Sequence, residues 1–178
     1  AWEFDPLRNK FTFVSGHAKA LLGYPTQDWY QEDFFSRVLH PDDVQKAVSY
    51  CKGESMAGRD HELDYRMVGT DGRIVWIHDI VMVVKVANNK FHLHGVMIDI
   101  TERVQIQESI AAAERKFRAL FEQSPHGVMI INPKTSTIIE SNGTLGALLA
   151  SPFNASLSAL PISELDPRDE PSSLLSRM

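Results

Sequence analysis

The sequence predicts an α+β fold: an antiparallel five-stranded sheet with short helices on one face, followed by a long linker helix. Three observations carry this reading. Two short strand-like segments open the chain, several short helix-like segments follow, and three long strand-like segments come last. Asp71-Gly72, between two of those strands, is a strong hairpin signal. At Asp99-Ile100-Thr101-Glu102-Arg103 the pattern changes from strand to helix. Ile106, Ile110, Ala113, Phe117 and Leu120 then recur at spacings of four, three, four and three, the heptad seam of a coiled coil.

Trp2 and Phe4 alternate with polar neighbours as a first strand, and Asp5-Pro6 with Arg8-Asn9-Lys10 supplies the turn into a second strand over Phe11–Val14. Ser15 is the expected N-cap of a short helix through Ala18, Leu21 and Leu22, which Gly23 and Pro25 stop. Phe34, Phe35, Val38 and Leu39 predict another short helix. His40-Pro41-Asp42-Asp43 starts a longer one, with proline suited to the first turn and two carboxylates at the positive end of the helix dipole. Val44, Ala47, Val48 and Cys51 fall at helical spacing, and Gly53 and Gly58 are expected to bracket the end. Leu63, Tyr65 and Met67 alternate as a strand. Ile74–Val86 is a long one, Asn88-Asn89 a second turn, and Phe91–Ile100 the last strand, with Gly95 inside it. Both faces of the long strand are largely apolar: Val75, Ile77, Asp79, Val81 and Val83 on one, Ile74, Trp76, His78, Ile80 and Met82 on the other. Its outer face is therefore expected to be covered by a helix or a second subunit.

Composition narrows the function. A length of 178 residues allows one or two domains, and 43% hydrophobic residues suffice for real cores. The net charge is −5, with no basic block, which argues against nucleic acid as a partner. No run of roughly 18 apolar residues is present, so no membrane contact is expected in this stretch. The opening Ala1-Trp2-Glu3-Phe4 has no secretion-signal pattern and reads as a cut end. Cys51 is the lone cysteine, which fits a reducing compartment, and the expected location is cytoplasmic. Nucleophile-elbow, phosphate-loop, HExxH and paired-cysteine motifs are all missing, so no catalytic residues and no enzymatic activity are expected here.

The chain also repeats itself. Gly16-His17-Ala18-Lys19-Ala20-Leu21-Leu22-Gly23-Tyr24-Pro25 is echoed by Gly143-Thr144-Leu145-Gly146-Ala147-Leu148-Leu149-Ala150-Ser151-Pro152, and Leu39-His40-Pro41-Asp42-Asp43 by Leu165-Asp166-Pro167-Arg168-Asp169. The expected organisation is a sheet domain over 1–101, a linker helix over 102–123 and a truncated second copy over 124–178.

These motifs in order resemble the PAS family with its C-terminal PAC segment. The resemblance rests on Ser15–Pro25, His40-Pro41-Asp42-Asp43, Asp71-Gly72-Arg73 with Trp76, and Gly95 followed by Asp99-Ile100-Thr101-Glu102-Arg103. Glu114–Glu122 and Ser124-Pro125-His126-Gly127 look like the entry to a second PAS domain. The resemblance implies a sensory module of a bacterial multidomain signalling protein whose output domain, absent from this chain, would be a histidine kinase or a cyclic-di-GMP enzyme (diguanylate cyclase or phosphodiesterase). It also implies a homodimer, with signal relay at Asp99, Thr101 and Arg103 and a dimer seam of Ile106, Ile110, Ala113, Phe117 and Leu120. A small-molecule pocket between sheet and helices would be lined by Phe13, Leu22, Trp29, Phe35, Val48, Leu63 and Tyr65; the same residues read first as packed core. Asp99 is expected to pin strand to helix and Thr101 to cap the helix starting at Glu102.

Two alternatives stay open: a ligand-free dimerisation scaffold, and a flavin- or haem-binding redox or light sensor. Flavin–cysteine photochemistry is disfavoured because Glu32–Leu39 contains no cysteine, and Cys51, on the following helix, reads as a small core residue. His-ligated haem is disfavoured because no histidine lies between Asp42 and Met56. No metal site is expected: His92 and His94 supply two ligands where zinc wants three or four, and His17, His61 and His78 stand alone.

Overall fold

The computed structural model describes residues 1–86, 90–149, 157 and 159–161. The Asn88-Asn89 turn and the echo at Leu165–Asp169 lie outside these residues. The chain divides into two compact units, Ala1–Gln107 and Glu108–Met178, a division that falls inside a helix.

In the first unit β1 (Trp2–Asp5) and β2 (Lys10–Val14) form a hairpin. The short helices α1 (Ala18–Leu22), α2 (Thr26–Trp29) and α3 (Phe34–Val38) and the longer α4 (Pro41–Met56) follow. Then come β3 (His61–Val68), β4 (Ile74–Val86) and β5 (Lys90–Asp99), and α5 (Thr101–Glu122) leaves β5 with one residue between. The sheet order is β2-β1-β5-β4-β3, and every pairing is antiparallel, as the sequence predicts. The last strand is therefore central, hydrogen-bonded to the first strand on one side and to the longest on the other. The four-residue α2 is too short to show a helical period and escapes sequence reading.

Helix starts and stops follow local chemistry, with corrections. Pro41 occupies the first turn of α4, and the His40 ring accepts the Asp42 N–H at 3.4 Å. Asp43 extends from this turn to β3. Its Oδ2 accepts the Arg66 backbone N–H at 2.9 Å and Nε at 2.8 Å, its Oδ1 accepts Nη2 at 2.7 Å, and the guanidinium lies over the Trp76 ring. Gly23 ends α1 at φ 82°, where a side chain would be strained. Arg73, beyond the Gly72 turn, donates to the carbonyls of Ala20 and Leu21 near that same helix end, which explains why Asp-Gly-Arg works as a unit. Ser15 does not cap α1. Only its carbonyl meets the Ala18 N–H, while its hydroxyl accepts from the Ala1 amino group. α4 ends at Met56, between Gly53 and Gly58 as expected.

The core of this unit packs Phe11, Leu22, Trp29, Phe34, Tyr65 and Ile77 between the inner sheet face and the helices. The long strand's inner face is buried as predicted. On the outer face Ile74, Met82, Val96 and Ile98 are exposed.

The second unit contains part of α5, the hairpin β6 (Met129–Asn132) and β7 (Thr137–Ser141), and α6 (Gly143–Leu148). It repeats the first unit's opening in detail. Trp2 pairs with Val14 and Met129 with Ser141, and both hairpins carry a bulge one step later, at Thr12 and Ile139. Asp5 and Asn132 each accept the N–H two residues on, and Asn9 and Ser136 both turn through positive φ. At the position matching Ser15, Asn142 does cap its helix, accepting the Leu145 N–H at 3.0 Å and the Val128 N–H at 2.9 Å while donating to the carbonyls of Phe121 and His126.

Candidate functional site

The inner face of β4 is apolar except at Asp79, which the strand's period of two buries. The Trp2 indole N–H donates to Oδ1 at 2.9 Å and the Tyr65 hydroxyl to Oδ2 at 2.7 Å. Burial makes the charged form costly and raises the carboxyl from 3.8 to about 6, against the pull of these two donors. The same burial, with the Asp79 charge beside it, raises the Tyr65 hydroxyl well above its ordinary value.

Asp79 forms part of the wall of a cavity of about 600 Å³ between the sheet and helices α3 and α4, within the usual range of small-molecule sites. The sheet contributes Trp2, Phe4, Val81, Leu93 and Met97, and the helices Phe35, Val48, Cys51, Ser55 and Met56. Cys51, expected as a core residue, is half-buried and lines this cavity. Burial, then the nearby Asp79, pushes its thiol up to about 12, so it is held as the unreactive thiol.

Of the seven residues expected to line a pocket, Phe35 and Val48 do so. Leu22 and Tyr65 are wholly buried in the core, Leu63 packs against that core, and Trp29 lines a second hollow of about 300 Å³. Phe13 is corrected outright: it is 45% exposed. The bulge at Thr12 resets the alternation, turning Phe11 and Val14 inward and Phe13 out.

Sequence reasoning misses most of the cavity wall, His61 and Ser55 among it. His61 is 6% exposed and Ser55 3% exposed, and His61 Nε2 and Ser55 Oγ have no hydrogen-bond partner. Both residues line the cavity. Elsewhere His94 Nδ1 lies 3.9 Å from Glu3, and the described residues hold no group of three or more metal-ligating side chains.

The strand-to-helix junction is tied by backbone and side-chain hydrogen bonds. The Trp76 carbonyl accepts the Ile100 N–H at 2.9 Å, and the Trp76 N–H donates to Thr101 Oγ1 at 2.9 Å. Asp99 Oδ1 accepts the Thr101 N–H at 2.9 Å. Thr101 is thus not the N-cap: α5 begins at Thr101, the Val104 N–H meets the Ile100 carbonyl, and the threonine hydroxyl is spent on β4. Arg103 is exposed. Ile106, Ile110, Ala113, Phe117 and Leu120 are all exposed along α5. No helix among the described residues is long and apolar enough to cross a membrane.

Known proteins share this arrangement. Residues 11–97 match the family model described as PAS fold, and residues 115–176 the one described as PAS domain. The sensor protein FixL of Bradyrhizobium diazoefficiens is 26% identical over 132 residues, covering 74% of this chain and 26% of FixL. The two-component sensor PprA of Pseudomonas aeruginosa is 28% identical over 115 residues, covering 64% of this chain and 12% of PprA. The chain therefore spans about a quarter or less of the length of these relatives. The crystal structure of the N-terminal domain of a diguanylate cyclase with PAS/PAC sensor from Marinobacter aquaeolei superposes with a TM-score of 0.54 at 34% identity, covering 57% of this chain and 94% of that one. With its sheet order, its helices over one face and these matches in both of its units, the chain belongs to the PAS family.

Proposed function

We propose that this chain is the sensory module of a bacterial multidomain signalling protein, in which a small molecule in the Asp79 cavity alters β5 and the Asp99–Thr101 junction passes that change into α5. The observation that carries this reading is the double duty of β4 and β5. Asp79, Val81, Leu93 and Met97 line the cavity, and the same two strands hold the first turn of α5 through Trp76 and Asp99. A ligand that displaces β5 therefore strains the start of the helix directly. In this reading the exposed stripe from Ile106 to Leu120 pairs with a second copy, and the output is a histidine kinase or a cyclic-di-GMP enzyme; the similar Marinobacter aquaeolei domain belongs to a diguanylate cyclase, and PprA is a two-component sensor.

Two measurements test it. Native mass spectrometry of protein purified from its native host is expected to find a mass above that of the polypeptide, lost on Val48→Trp, which fills the cavity. The bare polypeptide mass in both would leave a ligand-free scaffold. With the chain fused to a reporter kinase, Asp99→Ala and Thr101→Ala are expected to abolish regulation in a folded protein. Unchanged regulation in both would reduce the junction to an ordinary helix start.

The scaffold reading has its own support. Ile74, Met82, Val96 and Ile98 form an exposed apolar face on the outer side of β4 and β5, which suits a docking surface.

A further inference from the structure

The buried polar atoms of Asp79, His61 and Ser55 on the cavity wall can all accept a hydrogen bond. Ionised Asp79 only accepts hydrogen bonds, and each of its oxygens keeps a lone pair beyond the bond from Trp2 or Tyr65. His61 Nδ1 lies 3.1 Å from the Arg59 carbonyl oxygen, an acceptor, so the ring donates there and the neutral imidazole leaves Nε2 as a lone-pair acceptor. The ring's attitude is fixed on another side by an edge-to-face contact with Tyr50, centroids 5.7 Å apart. Ser55 adds a hydroxyl, which can accept or donate. Buried polar atoms without partners are costly, and native proteins rarely leave them so. Here two of them, Nε2 and Oγ, belong to residues on the wall of one cavity.

The rest of the wall sets the body of the ligand. Phe4, Phe35, Phe91 and Met56 offer aromatic and thioether surface. Lys52 is the cation on this wall, and it is exposed, so its charge is met by water rather than by the interior. A carboxylate or phosphate group carried into the cavity would face the Asp79 charge without a buried cation to offset it.

We propose that the cavity selects an aromatic molecule, uncharged or cationic, that carries an N–H or O–H donor, with His61 Nε2 and Ser55 Oγ holding the donor edge. This rests on the reading of the cavity as a ligand site and adds the chemical class it takes. The selection works by rejection: an analogue lacking the donor leaves the two buried atoms unpaired, while one bearing it satisfies them.

Isosteric probes test this on the full 178-residue chain by calorimetric titration. Indole and benzofuran differ by N–H against ring oxygen, and indole-3-carboxylate adds a negative charge. Indole is expected to bind at least about tenfold more tightly than benzofuran, the scale of one buried hydrogen bond. Indole-3-carboxylate is expected to bind no better than benzofuran. In Ser55→Ala and His61→Phe the preference for indole is expected to shrink, with benzofuran binding unchanged or improved. If His61→Phe does not fold, Ser55→Ala carries the comparison. Equal, saturable binding of indole and benzofuran overturns donor selection and leaves the sensor reading intact. A full preference surviving both substitutions overturns the assignment to these residues, and tighter binding of the carboxylate overturns the charge argument. Saturable binding of none of the probes counts against both this inference and the ligand reading beneath it.

Discussion

The Trp2 indole reaches Asp79 by crossing strand β5 over Gly95. Trp2 and Val81 flank Gly95 in the sheet, one on β1 and one on β4, and a Cβ at Gly95 would overlap the indole and the Ile80 carbonyl. The bond at 2.9 Å joins residues 77 positions apart and ties the start of the chain to the cavity wall. Gly95→Ala is accordingly expected to destabilise the first unit by about 1–3 kcal/mol, the usual cost of overpacking. The three tryptophans, Trp2, Trp29 and Trp76, all lie in that unit, so urea unfolding followed by tryptophan fluorescence reports on it alone. A variant as stable as the parent would mean that the indole moves aside at no cost.

Asp79 makes stability depend on pH in a defined direction. Its carboxyl is raised from 3.8 to about 6, so the folded unit binds the proton more tightly than the unfolded chain. The associated stability is complete below about pH 4 and is lost as pH rises through about 6. That gap corresponds to roughly 3 kcal/mol. Asp79→Asn is expected to remove this dependence. The stability difference between parent and variant, compared at pH 4 and pH 7 in urea, should swing against the parent by an amount of that order. A difference constant with pH would show that Asp79 titrates normally.

Asp43 works in the opposite sense. The hydrogen bonds from Arg66 hold its carboxyl at about 2, below the ordinary 3.8. The pair's contribution is present above about pH 4 and lost as pH falls through about 2. Asp43→Ala is expected to cost about 1 kcal/mol at neutral pH, because the Arg66 backbone N–H and Nε lose their acceptor while water screens the charge. An unchanged urea midpoint at pH 7 would place this pair among the surface ion pairs that contribute nothing measurable.

The exposed stripe on α5 predicts self-association. It spans barely two heptads, so pairing should be weak, in the range of tens of micromolar. Sedimentation of the parent at that concentration is expected to show dimer, and Ile110→Asp to shift it to monomer. Monomer in both would leave the stripe without a partner copy.

The strands and their hairpin turns are legible because turns and periodicity are local properties, whereas the placing of β5 beside β1 joins distant segments and is not read from the sequence. Asp71-Gly72 sets a hairpin, and Gly95 inside a strand signals a close approach, here by an indole. Asp79 is passed over in the sequence, although a lone carboxylate in an apolar stripe is the signal that could have found it. Phe13 is misplaced because a one-residue bulge inverts alternation downstream and leaves no mark in composition. Ser15 and Thr101 look like caps, but whether a hydroxyl serves its own helix or another strand depends on tertiary neighbours. His61 and Ser55 stay hidden for a related reason. A cavity is space that side chains fail to fill, and single residues carry no sign of it.

The absence of a loop between β5 and α5 fixes an angle. With one residue between the end of the strand and the start of the helix, the azimuth at which Ile106 leaves the sheet follows from the strand's own pleat. Each residue added at Ile100 would turn the apolar stripe by about 100°, whereas seven added residues would return it close to its original phase. Ile100, the single residue between strand and helix, is therefore a spacer whose length, rather than its side chain, is expected to set the phase of the stripe.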